Sequence, residues 1–405
     1  MDSNLVINVD LNTLKLQRFA LDQPGSLLHD FAVLLDFVSA GIEVSAKTHL
    51  LPQKALLEIN QRLANPMTVK LKRPQQKSFP YINGLFLILR SSGLTRVINA
   101  GPKPRLILDE KVLANWHSLT AIEQYFSLLN AWFLRGSPEI LGDRPGIWEC
   151  HYYLFKCLEF FKRMPAEGID VTATKDGFDH LKYYPELHNL ALMDLFGLVT
   201  IEIDPSLEQN WPVSKIIPTQ WGQFITEYYR TRTLRNLEQE EEQGPFTLAW
   251  DSELQSVFPE LKRQLAEPVS EGMLNATIVF KVVLHKAYRL IQVSGSTILD
   301  DFASAILDAF DFDHDHLYQF SFKNVYGYSE HISHPMMTDV AKITVECRVG
   351  ELPLMQGMEI VFTFDFGDNW EFSCVVESIL DQPCDQKPKV LKKQGKPPKQ
   401  YAFDY

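Results

Sequence analysis

Cysteine is scarce in this chain of 405 residues: Cys150, Cys157, Cys347, Cys374 and Cys384 are odd in number, and none sits in a CxxC spacing. They form neither a paired framework nor a CxxC motif, so buried thiols are the simplest expectation, with Cys150 and Cys157 on one helical face. Long hydrophobic runs are missing as well. No window approaches 18 consecutive apolar residues, and Leu85–Leu89 is only core-sized, which excludes a membrane-spanning helix. Met1-Asp2-Ser3-Asn4-Leu5 shows no basic region ahead of an apolar one, so the expected location is cytoplasmic and no membrane partner is expected. Positive charge is in the minority, with 39 Lys and Arg against 51 Asp and Glu and a net charge of −12. That balance works against indiscriminate phosphate binding without excluding a local basic patch. Walker A, G-x-S-x-G, H-E-x-x-H and H-x-E…C-x-x-C patterns are all absent, so an enzyme here would have to use scattered residues.

What the chain does contain is an ordinary globular composition, 45% hydrophobic and 12% aromatic, at a length that accommodates two or three domains. Charge is distributed unevenly. Val69–Leu106 holds Lys70, Lys72, Arg73, Lys77, Arg90, Arg96, Lys103 and Arg105 without one acidic residue. A second basic stretch, rich in proline, carries Lys387, Lys389, Lys392, Lys393, Lys396 and Lys399, and Glu238–Pro245 reads as a helix tail and linker.

A pattern occurs twice in the first 240 residues. Ile82, Leu85, Phe86 and Leu89 have helical spacing and end at Gly93-Leu94; a turn-rich stretch through Asn99–Pro102 follows, and Arg105–Asp109 opens a helix ending near Trp116. Leu187–Phe196 likewise ends at Gly197-Leu198, followed by Thr200–Ile203, a polar loop, and Ile216–Gly222 opening a helix to Tyr229. A helix, a glycine stop, a strand pair and another helix are the layout of tandem winged-helix units, with the strand pair as wing. On that reading the basic window becomes a phosphate-binding face, with Lys70, Lys72, Arg73, Lys77, Arg90 and Arg96 as candidate nucleic-acid contacts. Winged helices also bind protein, so the expected partner is a nucleic acid or a protein.

The last third changes period. Asn275–His285 alternates in steps of two and Ala287–Val293 is a second strand. Thr297 is expected to cap a helix whose apolar face is Leu299, Phe302, Ala303, Ile306 and Phe310. Leu317–Phe322, Glu359–Phe366 and Trp370–Glu377 read as further strands, the last two joined by a tight hairpin with Gly367 or Asn369 at positive φ. The expected fold class is α+β: a helix-rich N-terminal region, then a mostly antiparallel sheet with one packed helix.

Two clusters in this part invite chemistry. Asp311-Phe312-Asp313-His314-Asp315-His316 spaces carboxylates like a calcium loop, but His316 at position six and Phe322 at position twelve reject an EF-hand. His314 and His316 with Asp365 and Asp368 remain candidates for a metal site, against the plainer reading of an exposed acidic turn. Asp365-Phe366-Gly367 has neither a glycine-rich phosphate loop nor an HRD-type loop ahead of it, so the kinase reading fails.

These residues also carry a resemblance. Tyr288-Arg289-Leu290-Ile291, Leu299-Asp300-Asp301-Phe302, Ala309-Phe310 and Asp315–Phe320 are similar to the plasmid pRiA4b ORF-3-like family. The most specific mark is Phe364-Asp365-Phe366-Gly367-Asp368-Asn369-Trp370-Glu371, supported by the closing Pro388–Leu391 and Gly395–Pro398. The resemblance implies an α+β fold and an association with plasmids and mobile elements, and it marks Asp315, His316, Asp365, Gly367, Asp368 and Trp370 as the motif surface. It supplies no activity, cofactor or catalytic residue to carry over, so the cofactor is left unknown. The expected organisation is two helical units at 1–145 and 146–240, a linker at 241–274, and the ORF-3-like domain at 275–405. The expected function is that of a cytoplasmic binding protein of mobile-element type; the alternative is a metal-dependent enzyme using the His/Asp cluster.

Overall fold

The computed structural model describes residues 15, 17–98, 103–144, 151–239, 252–268, 273–338, 340 and 342–401. Cys150, the Asn99–Pro102 turn and most of the Glu238–Pro245 run lie outside the described residues. The chain is α+β and divides into two compact units. Met1–Thr95 and Ile107–Glu267 make the first; Arg96–Leu106 and Pro268–Tyr405 make the second.

In the N-terminal part, α1 (Leu27–Val38), β1 (Ile42–Glu43), α2 (Gln53–Arg62), α3 (Pro80–Ser91), β2 (Thr95–Ile98) and β3 (Arg105–Leu108) follow in order. After α4 (Glu110–Ser118) and α5 (Ala121–Arg135) the same order returns. It runs α6 (Tyr152–Arg163), β4 (Ile169–Asp170), α7 (Gly177–Tyr183), α8 (Leu187–Leu195), β5 (Val199–Ile203) and β6 (Val213–Pro218), ahead of α9 (Gln220–Gln239). The sheets repeat too, in strand order β1-β3-β2 and β4-β6-β5. Each third helix stops at a left-handed glycine, Gly93 at φ +81° and Gly197 at φ +68°. At Gly197 an added Cβ would also lie 2.4 Å from the Pro24 carbonyl oxygen, so only glycine fits.

The core of this unit is aromatic, and several of its buried polar groups pair with one another. Trp221 Nε1 donates to the Tyr125 hydroxyl, which donates to the Phe196 carbonyl; Trp132 Nε1 donates to Asn189, and Tyr229 to Asn130. Part of the expected 241–274 linker is packed rather than free: α10 (Ser252–Val257) is followed by a strap held by hydrogen bonds. Glu123 on α5 accepts from the Lys262 and Arg263 amides, Ser127 from the Leu265 amide, and Asn115 from the Ala266 amide. By backbone contacts, the strap belongs to the same compact unit as the helices of both repeats.

The second unit is built on β7 (Thr277–Leu284), β8 (Ala287–Ser294), β9 (Tyr318–Lys323), β10 (Ser329–Ser333), β11 (Glu359–Phe364), β12 (Trp370–Leu380) and β13 (Lys389–Gln394). All pairings are antiparallel, in the order β10-β9-β11-β12-β7-β8-β13. Side chains alternate between the two faces, so Ile278, Phe280, Val282, Phe320, Phe362 and Phe372 line one face beneath α11 (Leu299–Phe310). Phe302 of α11 lies 4.7 Å from Phe280 and stacks on Phe320, and each such buried ring contributes roughly 2–3 kcal/mol of hydrophobic stabilisation. Thr297 is not the cap. Ile298 occupies that position without a side-chain bond, and the Thr297 hydroxyl instead ties down the Gln386 carbonyl. The buried Thr297 hydroxyl is thereby satisfied by a long-range partner and not by the helix N-terminus.

Candidate functional site

The basic residues nearest in sequence are also held together in space. Between α2 and α3 the chain runs without a long regular element, yet its backbone is fixed at several points. Asn60 exchanges two hydrogen bonds with the Met67 backbone, the Lys70 amide donates to Asn210, and the buried Gln76 side chain bridges Leu51 and Asn83. Lys70, Lys72, Arg73 and Lys77 project from this pinned loop and all four are exposed. None of them has an ion-pair partner among the described residues, whereas Arg62, Lys156, Arg163, Lys182 and Arg230 are each paired with a carboxylate. Four unpaired cations on one short loop make a local positive field in an otherwise acidic protein.

Arg90 does not belong to that surface. It is 3% exposed, its guanidinium donates to the Thr95 carbonyl, and burial pulls its pKa down to about 10. The reason is the position of α3: every residue from Pro80 to Ser91 is buried. The helix packs on α8 through Gly84, where an added Cβ would stand 2.7 Å from Leu192 Cγ and 2.9 Å from the His188 carbonyl. Tyr81 of α3 donates to the Asp194 carboxylate of α8 at 2.8 Å, and burial pushes Asp194 up to about 6. The helices that follow the turn in each repeat are therefore used against each other. Arg96, on β2, is half-buried.

In the second unit the motif hairpin is a device for turning the chain. Asp365 (φ +54°) and Asn369 (φ +53°) take the left-handed positions, while Gly367 does not. The Asp365 carboxylate accepts from the Gly367 amide at 2.9 Å and the Asp368 amide at 3.4 Å, and the Asn369 amide returns to the Asp365 carbonyl. Trp370 then packs edge-on against Phe312, which follows α11. So the aspartate supplies the turn and the tryptophan closes the sheet against the helix.

Of the four metal candidates, His316 and Asp365 are brought together, while His314 is drawn to another carboxylate. His314 faces Asp308 of α11 at 3.0 Å, whereas His316 Nε2 lies 3.5 Å from Asp365 and 3.6 Å from Asp315. Asp315 is further engaged by the Tyr401 hydroxyl at 2.7 Å and by Gln400, and the Tyr401 bond holds the Asp315 carboxyl below its ordinary range. Among the described residues no group of three or more His, Cys, Asp or Glu is placed to hold a metal ion. Sequence reading missed Asp308, Gln400 and Tyr401 here. No local pattern announces Gln400 and Tyr401, which arrive from 85 and 86 residues away. Free Cys157 and Cys374 are buried, which pushes both thiols up, and Cys347 and Cys384 are half-buried.

The stretch that holds this hairpin, the packed helix and the antiparallel sheet is also the stretch that a known family matches. Residues 273–401 match the family model of plasmid pRiA4b ORF-3-like protein. The ORF-3-like domain thus accounts for the C-terminal third, as its motif residues implied. A solved protein of unknown function from Methanosarcina mazei Go1 is similar to the chain at 23% identity. The similarity covers 30% of this chain and 70% of that one, with a TM-score of 0.27. No curated protein matches the sequence. No helix among the described residues is long and apolar enough to cross a membrane.

Proposed function

We propose that the protein is a nucleic-acid-binding protein that grips the phosphate backbone through Lys70, Lys72, Arg73 and Lys77 without reading base sequence through a recognition helix. One observation carries this reading: four exposed, unpaired cations stand on a loop whose backbone is pinned by Asn60, Asn210 and Gln76. Preorganised charge of this kind binds polyanions by releasing counterions. The twofold helix–strand–helix–helix–strand–strand order and its sheet order support winged-helix units at 1–145 and 146–240. In a winged helix the third helix enters the major groove, and here α3 is buried against α8, so phosphate contact is left and direct readout is lost. Placement in the cytoplasm and among plasmid-borne or accessory genes is part of the same proposal, supported by the ORF-3-like domain. The metal-enzyme alternative gains nothing from His314 and His316, which face different carboxylates.

The test is a titration of labelled duplexes of unrelated sequence by fluorescence anisotropy at several salt concentrations. The wild-type chain is expected to bind all of them alike. Changing Lys70, Lys72, Arg73 and Lys77 to Glu is expected to abolish binding and to flatten the log–log salt slope by about 3–4. Duplex affinity unchanged by the fourfold change would sink the proposal and leave a protein partner as the reading of this loop.

A further inference from the structure

The sheet of the ORF-3-like domain has one face under α11 and another that carries Val279, Lys281 and Val283 on β7 and Tyr288, Leu290 and Gln292 on β8. On this second face the register sets Lys281 opposite Leu290, Leu290 opposite Lys392, and Tyr288 opposite Gln394. The ammonium of Lys281 lies 5.2 Å from the Tyr288 ring centroid and that of Lys392 lies 5.5 Å away, one from the strand on each side. Lys389, opposite Gln292, extends the row. None of these three lysines has an ion-pair partner among the described residues, and no acidic residue stands in the register rows that join them on β7, β8 and β13.

Lysines on an edge strand have a plain role, which is to keep the open edge from pairing with another chain. That explains Lys389 and Lys393 on β13, together with the register shift at Val390/Lys392. It does not explain Lys281, which is half-buried on the interior strand β7 and turned toward Tyr288 instead of an acid. Holding a partly desolvated cation without a counter-charge is unfavourable unless something anionic is to meet it.

We propose that this face of the ORF-3-like domain, centred on Tyr288 with Lys281, Lys389 and Lys392, binds single-stranded nucleic acid. Phosphates draw the two flanking ammonium groups off the ring, and an unpaired base stacks on the tyrosine in their place. The cation–π contact of exposed Lys392 is weak, and half-buried Lys281 gains a counter-charge that the ring does not supply, so the exchange is favourable. A duplex keeps its base faces stacked inside and cannot make this contact, which separates the surface from the Lys70–Lys77 loop. The inference extends the nucleic-acid reading to a second surface in the other unit, rests on different residues, and does not require the first to hold.

The experiment titrates the full chain against a labelled 20-mer of deoxythymidine, with a duplex of the same length and polyglutamate as comparison probes. Lys281→Glu with Lys392→Glu is expected to weaken single-strand binding at least tenfold, and Tyr288→Ala about tenfold. Tyr288→Phe keeps the ring and is expected to bind as wild type, which shows that stacking is at work and not a fold defect. The fourfold Lys70/Lys72/Arg73/Lys77 change is expected to remove duplex binding and leave the thymidine strand bound. Absence of thymidine-strand binding, binding indifferent to Lys281, Lys392 and Tyr288, or polyglutamate binding that depends on these residues in place of the oligonucleotide would each overturn the assignment.

Discussion

The two units treat their signature elements in opposite ways. In the helical unit, the helix that a winged-helix layout would offer to a ligand is the most buried segment described, α3, closed on α8 at Gly84 and joined to it by Tyr81 and Asp194. In the ORF-3-like domain the signature hairpin stands in the open, with Phe366 46% exposed and nothing but the Asp365 side chain near Gly367. The difference teaches that topology names an element without saying which way it faces. A repeated fold can bury such a helix in internal packing, which leaves the charged loop beside it at the surface.

Three changes test how deep that contrast runs. The largest effect is expected at Gly84→Val, which drives a branched side chain into Leu192 and the His188 carbonyl and should cost about 3 kcal/mol. A urea titration followed through Trp132 and Trp221, both in the helical unit, measures it; a loss below ~1 kcal/mol would mean that α3 and α8 are not tightly joined.

Next comes the pH response of Asp194. Burial raises its folded-state pKa to about 6, above its unfolded value, so the neutral form is the favoured one in the fold. Stability from this group is therefore greatest at low pH and falls as pH rises from about 4 to about 6, by roughly 2–3 kcal/mol, then levels off. Asp194→Asn keeps an acceptor for Tyr81 and should erase that fall; an unaltered pH profile in the variant would assign the fall elsewhere. The smallest effect belongs to Gly367→Ala. Its φ is not left-handed and its nearest neighbour is a movable carboxylate at 3.2 Å, so a change under ~1 kcal/mol in the melting of the full chain is expected despite its place in the family motif.

Much of this was legible because it is local. The Gly-Leu stops at Gly93 and Gly197 mark helix ends by backbone sterics, and the two-residue alternation of Ile278, Phe280, Val282 and Leu284 marks a strand with one covered face. Of Gly367 and Asn369, the two residues whose type suits a left-handed turn, Asn369 takes it; Asp365 takes the other such position, its strain offset by the Gly367 amide that follows it. Strand β13 was hidden inside a lysine- and proline-rich stretch, where the only signal is pairing with β8, which no local pattern shows. Thr297 had the look of a cap and became a tether for the same reason: its partner, the Gln386 carbonyl, is 89 residues away.

By itself, the sequence determined the α+β class, the repeat in the first part, the family of the last third and the basic window, because composition, period and short motifs act over a few residues. Only the tertiary structure decided which basic residues face solvent, that α3 and α8 bury each other, that residues 252–267 strap the helical unit, and that His314 and His316 part company. Those outcomes depend on which distant surfaces meet, because burial and long-range hydrogen-bond closure are set by that meeting and not by the local chain.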